Sequence, residues 1–224
     1  SIWDYVPFKL DSANFDSLYV LDGRTIGEGL DAAYGFDKFE FHDYTLRVDL
    51  GPNGLTGQIF RMYEALFDRD PVYSNDEGFI PTVLNAEIHG YSTYELADSL
   101  INSPEFISTY GSNISNDQFV QTIYLNALNR IPTEYELNTH YRPFFNNGTL
   151  DKQSALVNFV RADEVVQTTW DALGAQGNVG IISNDNDVYS AFGINTVSDY
   201  IEKVVTPSIN REVAEKSEHF DLKY

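Results

Sequence analysis

One phrase is written twice in this chain. Tyr63 to Pro71 reads YEALFDRDP and Tyr124 to Pro132 reads YLNALNRIP, with Tyr63 and Tyr124, Arg69 and Arg130, and Pro71 and Pro132 each 61 residues apart. Both copies continue alike. A helical stretch leads to Gly90 or Gly148, then to a polar helix-starting residue, Ser92 or Asp151, and then to an apolar helix closing in Ser-Pro-Glu-Phe (103–106) or Ala-Asp-Glu-Val (162–165). A period near 60 with helical signals at corresponding places marks one supersecondary unit used twice. A lone unit of this kind leaves an apolar face uncovered, so the two are expected to pack on each other as one bundle.

In the first copy Ile59, Met62, Tyr63, Leu66 and Phe67 fall at i, i+3, i+4, i+7 and i+8, the spacing of one buried helix face. Thr56 is the expected N-cap of this helix. Further helices are expected over 76–89, 93–101, 104–110, 116–129, 133–145, 151–161 and 162–173. The repeated residues have plain structural uses in this reading. Arg69 and Arg130 sit at helix C-termini, where a cation meets the negative end of the macrodipole. Pro71 and Pro132 stop those helices, and Tyr63 and Tyr124 place rings on the apolar stripe.

Upstream the pattern changes. Phe39, Phe41, Leu46, Val48 and Leu50 alternate with polar residues around a His42-Asp43 turn, which predicts a half-buried hairpin over 36–50. The expected fold class is therefore α+β, mainly α: a short β-hairpin segment followed by a helical bundle built from two related helical units. The expected organisation is a β-rich leading segment over 1–55, a helical domain of two repeats over 56–173 (56–110 and 116–173), and a C-terminal loop and arm over 174–224. Because the chain starts at Ser1 rather than Met, it is expected to be a processed product or one piece of something longer.

Composition narrows the function classes. Lys plus Arg number 14 against 34 Asp plus Glu, a net charge of −20, so a nucleic-acid partner and an anionic membrane surface are both disfavoured. No run approaches the ~18 apolar residues of a membrane span, so no membrane insertion is expected. There is no cysteine among the 224 residues, which removes disulfides, thiolate metal sites and cysteine nucleophiles together. With 15 Tyr and 15 Phe the chain carries too much apolar surface to be a disordered acidic tail.

Catalytic signatures are absent from the sequence. The four histidines, His42, His89, His140 and His219, form neither His-Glu-x-x-His nor an i, i+4 pair, and neither a G-x-S-x-G elbow nor a glycine-rich phosphate loop occurs. The chain is expected not to be an enzyme. Calcium is the one cofactor the residues leave open, through oxygen ligands in acidic loops; the candidate ligands are Asp43, Asp49, Asp185 and Asp187. Tyr91, Tyr94, Tyr141 and Phe144, in tyrosine-rich stretches, are the candidate contact residues.

The repeated block resembles the bacterial family known as domain of unknown function 4214. The resemblance is carried by Tyr63, Phe67, Arg69, Pro71, Gly78, Gly90, Ser92, Ser103, Glu105 and Phe106, and in the second copy by Tyr124, Leu128, Arg130, Pro132, Gly148, Asp151 and Glu164. It implies a helical repeat domain of large exported bacterial proteins, including surface-layer proteins, adhesins and repeats-in-toxin proteins of type I secretion, and hence an extracellular or cell-surface location. The function expected from it is a non-catalytic structural, assembly or anchoring module of a bacterial surface structure. Its partners would be other copies of the chain or neighbouring surface proteins, and surface glycan. The alternatives are a carbohydrate- or lipopolysaccharide-binding attachment module, or a virion structural protein.

Overall fold

The computed structural model describes residues 5–8, 17–22, 30–34, 38–40, 45–71, 78–174 and 181–183, with side chains described at 38, 47–71 and 78–169. In the first unit the helices are α1 (Leu55–Phe67), α2 (Phe79–His89), α3 (Thr93–Ile101) and α4 (Pro104–Tyr110). The second unit holds α5 (Asn116–Leu128), α6 (Glu134–Glu136), a π-turn at Leu137–Tyr141, α7 (Arg142–Asn146), α8 (Lys152–Val160) and α9 (Asp163–Gly174). Thus α1 and α5 are both 13 residues long and begin 61 apart, while α3 and α8 are both nine residues and begin 59 apart. Helices that correspond in sequence also face each other: α1 lies against α5 and α3 against α8.

Local chemistry starts most of these helices. Ser92 with Glu95, Ser115 with Gln118, and Thr133 with Glu136 form capping boxes, each satisfying two orphan backbone donors reciprocally. Ser103 caps α4 ahead of Pro104, and Asp151 caps α8. At the far ends of α1 and α5, Asp68 and Asn129 take left-handed backbone at φ 53° and 50°. These two residues are again 61 apart, and they stop their helices in the left-handed C-cap geometry usually given to glycine.

The core runs between the units. Met62, Ala65 and Leu66 of α1 meet Phe119, Val120 and Ile123 of α5, with Leu156, Phe159 and Val160 of α8 closing the cluster. A second cluster gathers Leu50, Ile59, Phe60, Tyr63, Phe79, Val83 and Leu96. Because α1 takes part in both, it is buried on every side, with ten of its 13 residues inside, including the polar Gln58 and Arg61. It is the central helix, and the five-residue stripe read from the sequence describes only part of its contact surface.

The α+β class is corrected to helical. Residues 48–71 and 78–174 contain helix and turn with no strand among them. Short antiparallel ladders, such as Lys38–Glu40 with Thr45–Arg47, lie outside these two runs. The hairpin read over 36–50 is therefore not a layer of the helical body that residues 48–71 and 78–174 form. The physical reason lies at the end of the alternating run: Val48 and Leu50 are 4 % and 2 % exposed, and Leu50 packs on helix residues. Alternation signals one covered face, and here helices cover it.

Two further expectations change. Thr56 is not the cap of α1, since Gly54 occupies that position; the carboxylate of Asp49 accepts the Thr56 N–H at 2.8 Å. The single helix expected over 133–145 is broken into α6, the π-turn and α7. Pro143 has no N–H to give to the carbonyl four residues back, and the Arg142 N–H reaches Leu137 O instead, widening the turn. The arm expected over 174–224 lies outside the described residues apart from Gly174 and the short strand Ile181–Ser183.

Candidate functional site

The repeated arginines make the same contact in both units. Arg69 lies 5.6 Å from the Tyr63 ring centre and 5.0 Å from that of Phe67, and forms an ion pair with Glu105. Arg130 lies 4.9 Å from the Tyr124 ring centre and bonds Glu164 at 2.7 and 2.9 Å. Each clamp ties the end of a unit's first helix to the start of its last, through an aromatic face and a carboxylate. The second is doubled, because Glu136 also takes two bonds from Arg130, at 2.8 and 3.1 Å. Arg130 accordingly holds the Glu136 carboxyl down at about 2. Residues placed by the repeat at helix C-termini thus act across helices.

A second polar group lies inside the bundle. Arg61, 0 % exposed, donates to the carbonyls of Val160 at 2.5 Å, Leu50 at 2.8 Å and Gly51 at 2.9 Å. It therefore fastens the incoming chain and the end of α8 to α1. Burial pulls its guanidinium down to about 10, against the raising influence of Glu64 and Asp49. Burial also pushes the Glu64 carboxyl up to about 7, opposed by the Thr169 hydroxyl, which donates to it at 3.0 Å. No sequence pattern pointed to either residue.

Of the four candidate calcium ligands, Asp43, Asp185 and Asp187 lie outside the described residues. Asp49 is turned to the start of α1, where its carboxylate takes the Thr56 N–H and its carbonyl takes the Gly57 N–H at 3.1 Å. Among the described residues no three His, Asp or Glu side chains gather where they could hold a metal ion. Of the candidate contact residues, Tyr91, Tyr94 and Phe144 are exposed at 40 %, 44 % and 45 %. Tyr141 is corrected to a core residue, 8 % exposed, its hydroxyl 3.4 Å from that of Tyr124; burial raises its pKa. Ile131 and Tyr135, at 68 % and 72 %, are more exposed than any residue proposed for contact.

The described residues line at least two cavities. One, of about 350 Å³, opens beside the π-turn between Tyr124, His140, Tyr141 and Phe159. The other, of about 420 Å³, lies where the α3–α4 end of the first unit meets the second.

The Arg130 clamp and both cavities fall within residues 97–169, which match the family model described as Domain of unknown function (DUF4214). Over this stretch the chain resembles that family. The DUF4214 match takes in the second unit as far as residue 169, within α9, and the first unit from the middle of α3 onward. Tyr63, Arg69 and Pro71 precede it, and their kinship with Tyr124, Arg130 and Pro132 rests on the internal repeat. No curated protein and no solved structure matches the chain. None of the helices among the described residues is long and apolar enough to cross a membrane.

Proposed function

We propose that this chain is a non-catalytic structural module that assembles or anchors an extracellular bacterial surface structure, a surface layer, adhesin or secreted matrix. The observation that carries this reading is the use the two units make of their shared polar residues. Arg69 with Glu105 and Arg130 with Glu164 bind helices together, so the repeated chemistry is internal. At the surface, by contrast, Leu125, Ile131 and Tyr135 stand 52 %, 68 % and 72 % exposed within one short stretch of chain. Exposed apolar side chains grouped in this way favour a protein contact, while a net charge of −20 keeps the remaining exterior solvated. The partners in this reading are other copies of the chain or neighbouring surface proteins, with calcium bridging acidic exteriors. The resemblance to domains of exported proteins supports the extracellular setting.

Sedimentation and electron microscopy of the protein with calcium and with chelator test the proposal. Rings or arrays that form with calcium, and that Ile131→Glu with Tyr135→Glu abolishes, are the expected result. A monodisperse monomer in both conditions overturns it.

A further inference from the structure

The 420 Å³ cavity between the units is within the size range of small-ligand sites. Its apolar part comes from both units: Ile101, Phe106 and Ile107 from the first, Ile114 from the connection, and Phe145 and Leu150 from the second. The remainder is polar, with Asn102, Ser112, Asn116, Lys152 and Gln153 along it.

The bonding state of these polar residues is what distinguishes the cavity. Lys38 and Arg47 bind Glu87, Arg69, Arg130 and Arg142 bind carboxylates, and Arg61 and Arg161 bind neutral oxygens. Lys152 alone, among the described Lys and Arg side chains, has no acceptor within the chain. That is unexpected where 34 acidic residues compete for 14 cations. Asp151, which also lines the cavity, is already engaged: its Oδ1 accepts the Ser154 N–H and its Oδ2 the Tyr94 hydroxyl, both at 2.7 Å. The side chains of Ser112 and Asn116 make no bond within the chain. Asn102 and Gln153 each direct their NH2 group to Asp98, at 2.9 and 2.6 Å, which leaves their carbonyl oxygens to accept.

The cavity thus offers one ammonium for one anionic group, several neutral donors and acceptors, and an apolar wall from both units. A single cation in so acidic a chain suits a monoanion and disfavours phosphates of higher charge. Neutral carboxamides and hydroxyls match ligand hydroxyls, which both donate and accept. The apolar wall suits a face of C–H groups. We propose that this cavity binds a uronic acid residue, with its carboxylate on Lys152, its hydroxyls on Asn102, Ser112, Asn116 and Gln153, and its ring against the apolar wall. The site does not depend on the assembly reading, since a monomer would contain it whole.

Calorimetry and amide NMR of the full chain, titrated with glucuronic acid and with glucose, test the site. Glucuronic acid is expected to bind at least about tenfold more tightly than glucose, with shifts centred on residues 101–116 and 145–153. Lys152→Gln, with an unchanged far-UV spectrum, is expected to erase that preference, and Lys152→Arg to restore most of it. The proposal is overturned by equal or absent binding of the two sugars, by a preference that survives Lys152→Gln, or by shifts elsewhere. Tighter binding of a short peptide through its free terminal carboxylate at the same residues also overturns it.

Discussion

Replacing Arg61 by Met removes the tie between α1, the incoming chain and the end of α8 at similar side-chain bulk. The carbonyls of Leu50 and Val160 lose the donors they have at 2.8 and 2.5 Å, whereas Gly51 O still accepts the Gly54 N–H at 3.2 Å. A buried polar group deprived of its partner costs about 1–3 kcal/mol, so two such groups cost roughly 2–6 kcal/mol. Relief from burying a charge offsets part of this, because buried ionic groups replaced by apolar ones can come out neutral. The expected net loss is about 3 kcal/mol, a large share of the ~5–15 kcal/mol that holds a domain folded. For a body of this size that corresponds to a fall in Tm of roughly 10–15 °C. Urea melts followed by far-UV circular dichroism measure it, with an unchanged m value showing that the unfolding transition is the same. Arg61→Lys should fall between, since one ammonium cannot serve three diverging carbonyls. Arg161→Met, which removes bonds to Gln58 and Thr93 near the surface, should cost under about 1 kcal/mol. If Arg61→Met melts within about 3 °C of the parent, the guanidinium is not a structural tie and its three bonds add nothing net to the fold.

Glu64 predicts a pH dependence. Its carboxyl is raised from 4.5 to about 7, so the folded chain holds a proton that the unfolded chain releases between those values, and stability falls as pH rises through that window, by about 3 kcal/mol. Glu64→Gln should flatten this part of the Tm–pH curve, and superimposable curves would refute the assignment. Gly57→Ala should destabilise by about 1–3 kcal/mol despite alanine's higher helix propensity, because its Cβ would stand 2.6 Å from Leu50 O; a rise in Cm would show that the approach of the incoming chain is not close. A double-mutant cycle on Arg130 and Glu164, whose side chains are 33 % and 55 % exposed, should give a coupling of only about 0.5–1 kcal/mol that fades with salt. Coupling that is insensitive to salt would mean that the pair is not solvated.

The boundaries of α3 and α4 were legible because their starting signals are local: Ser92 with Glu95, and Ser103 before Pro104, act within four residues. The start of α1 was not, because the carboxylate that takes its Thr56 N–H belongs to Asp49, seven residues away, and such a partner has no fixed spacing. The break at the π-turn is signalled in the sequence by Pro143, inside the helix expected over 133–145. Alternation up to Leu50 misled for a different reason, since it reports that one face is covered without saying whether a strand or a helix covers it.

The candidate site divides along the same line. Arg69, Arg130, Glu105 and Glu164 all stand in the repeated phrases, so the pairing of a repeated cation with a repeated anion is open to inference from the sequence alone. Reading the arginines as helix-end charges stops one step short of that pairing. Lys152 carries no such signal. Its distinction is the lack of an acceptor, a property of the assembled bundle, and in a chain of net charge −20 the sequence favours the opposite expectation. What two copies of one unit can preserve is the set of contacts that each makes internally. The cavity lies where they meet, lined by residues 101–116 and 145–153, so its lining is the sum of two unlike ends and is free to diverge without loosening either clamp. A repeat fold of this kind therefore keeps its clamps in the repeated residues and leaves the lining of this cavity to the unrepeated ones between them.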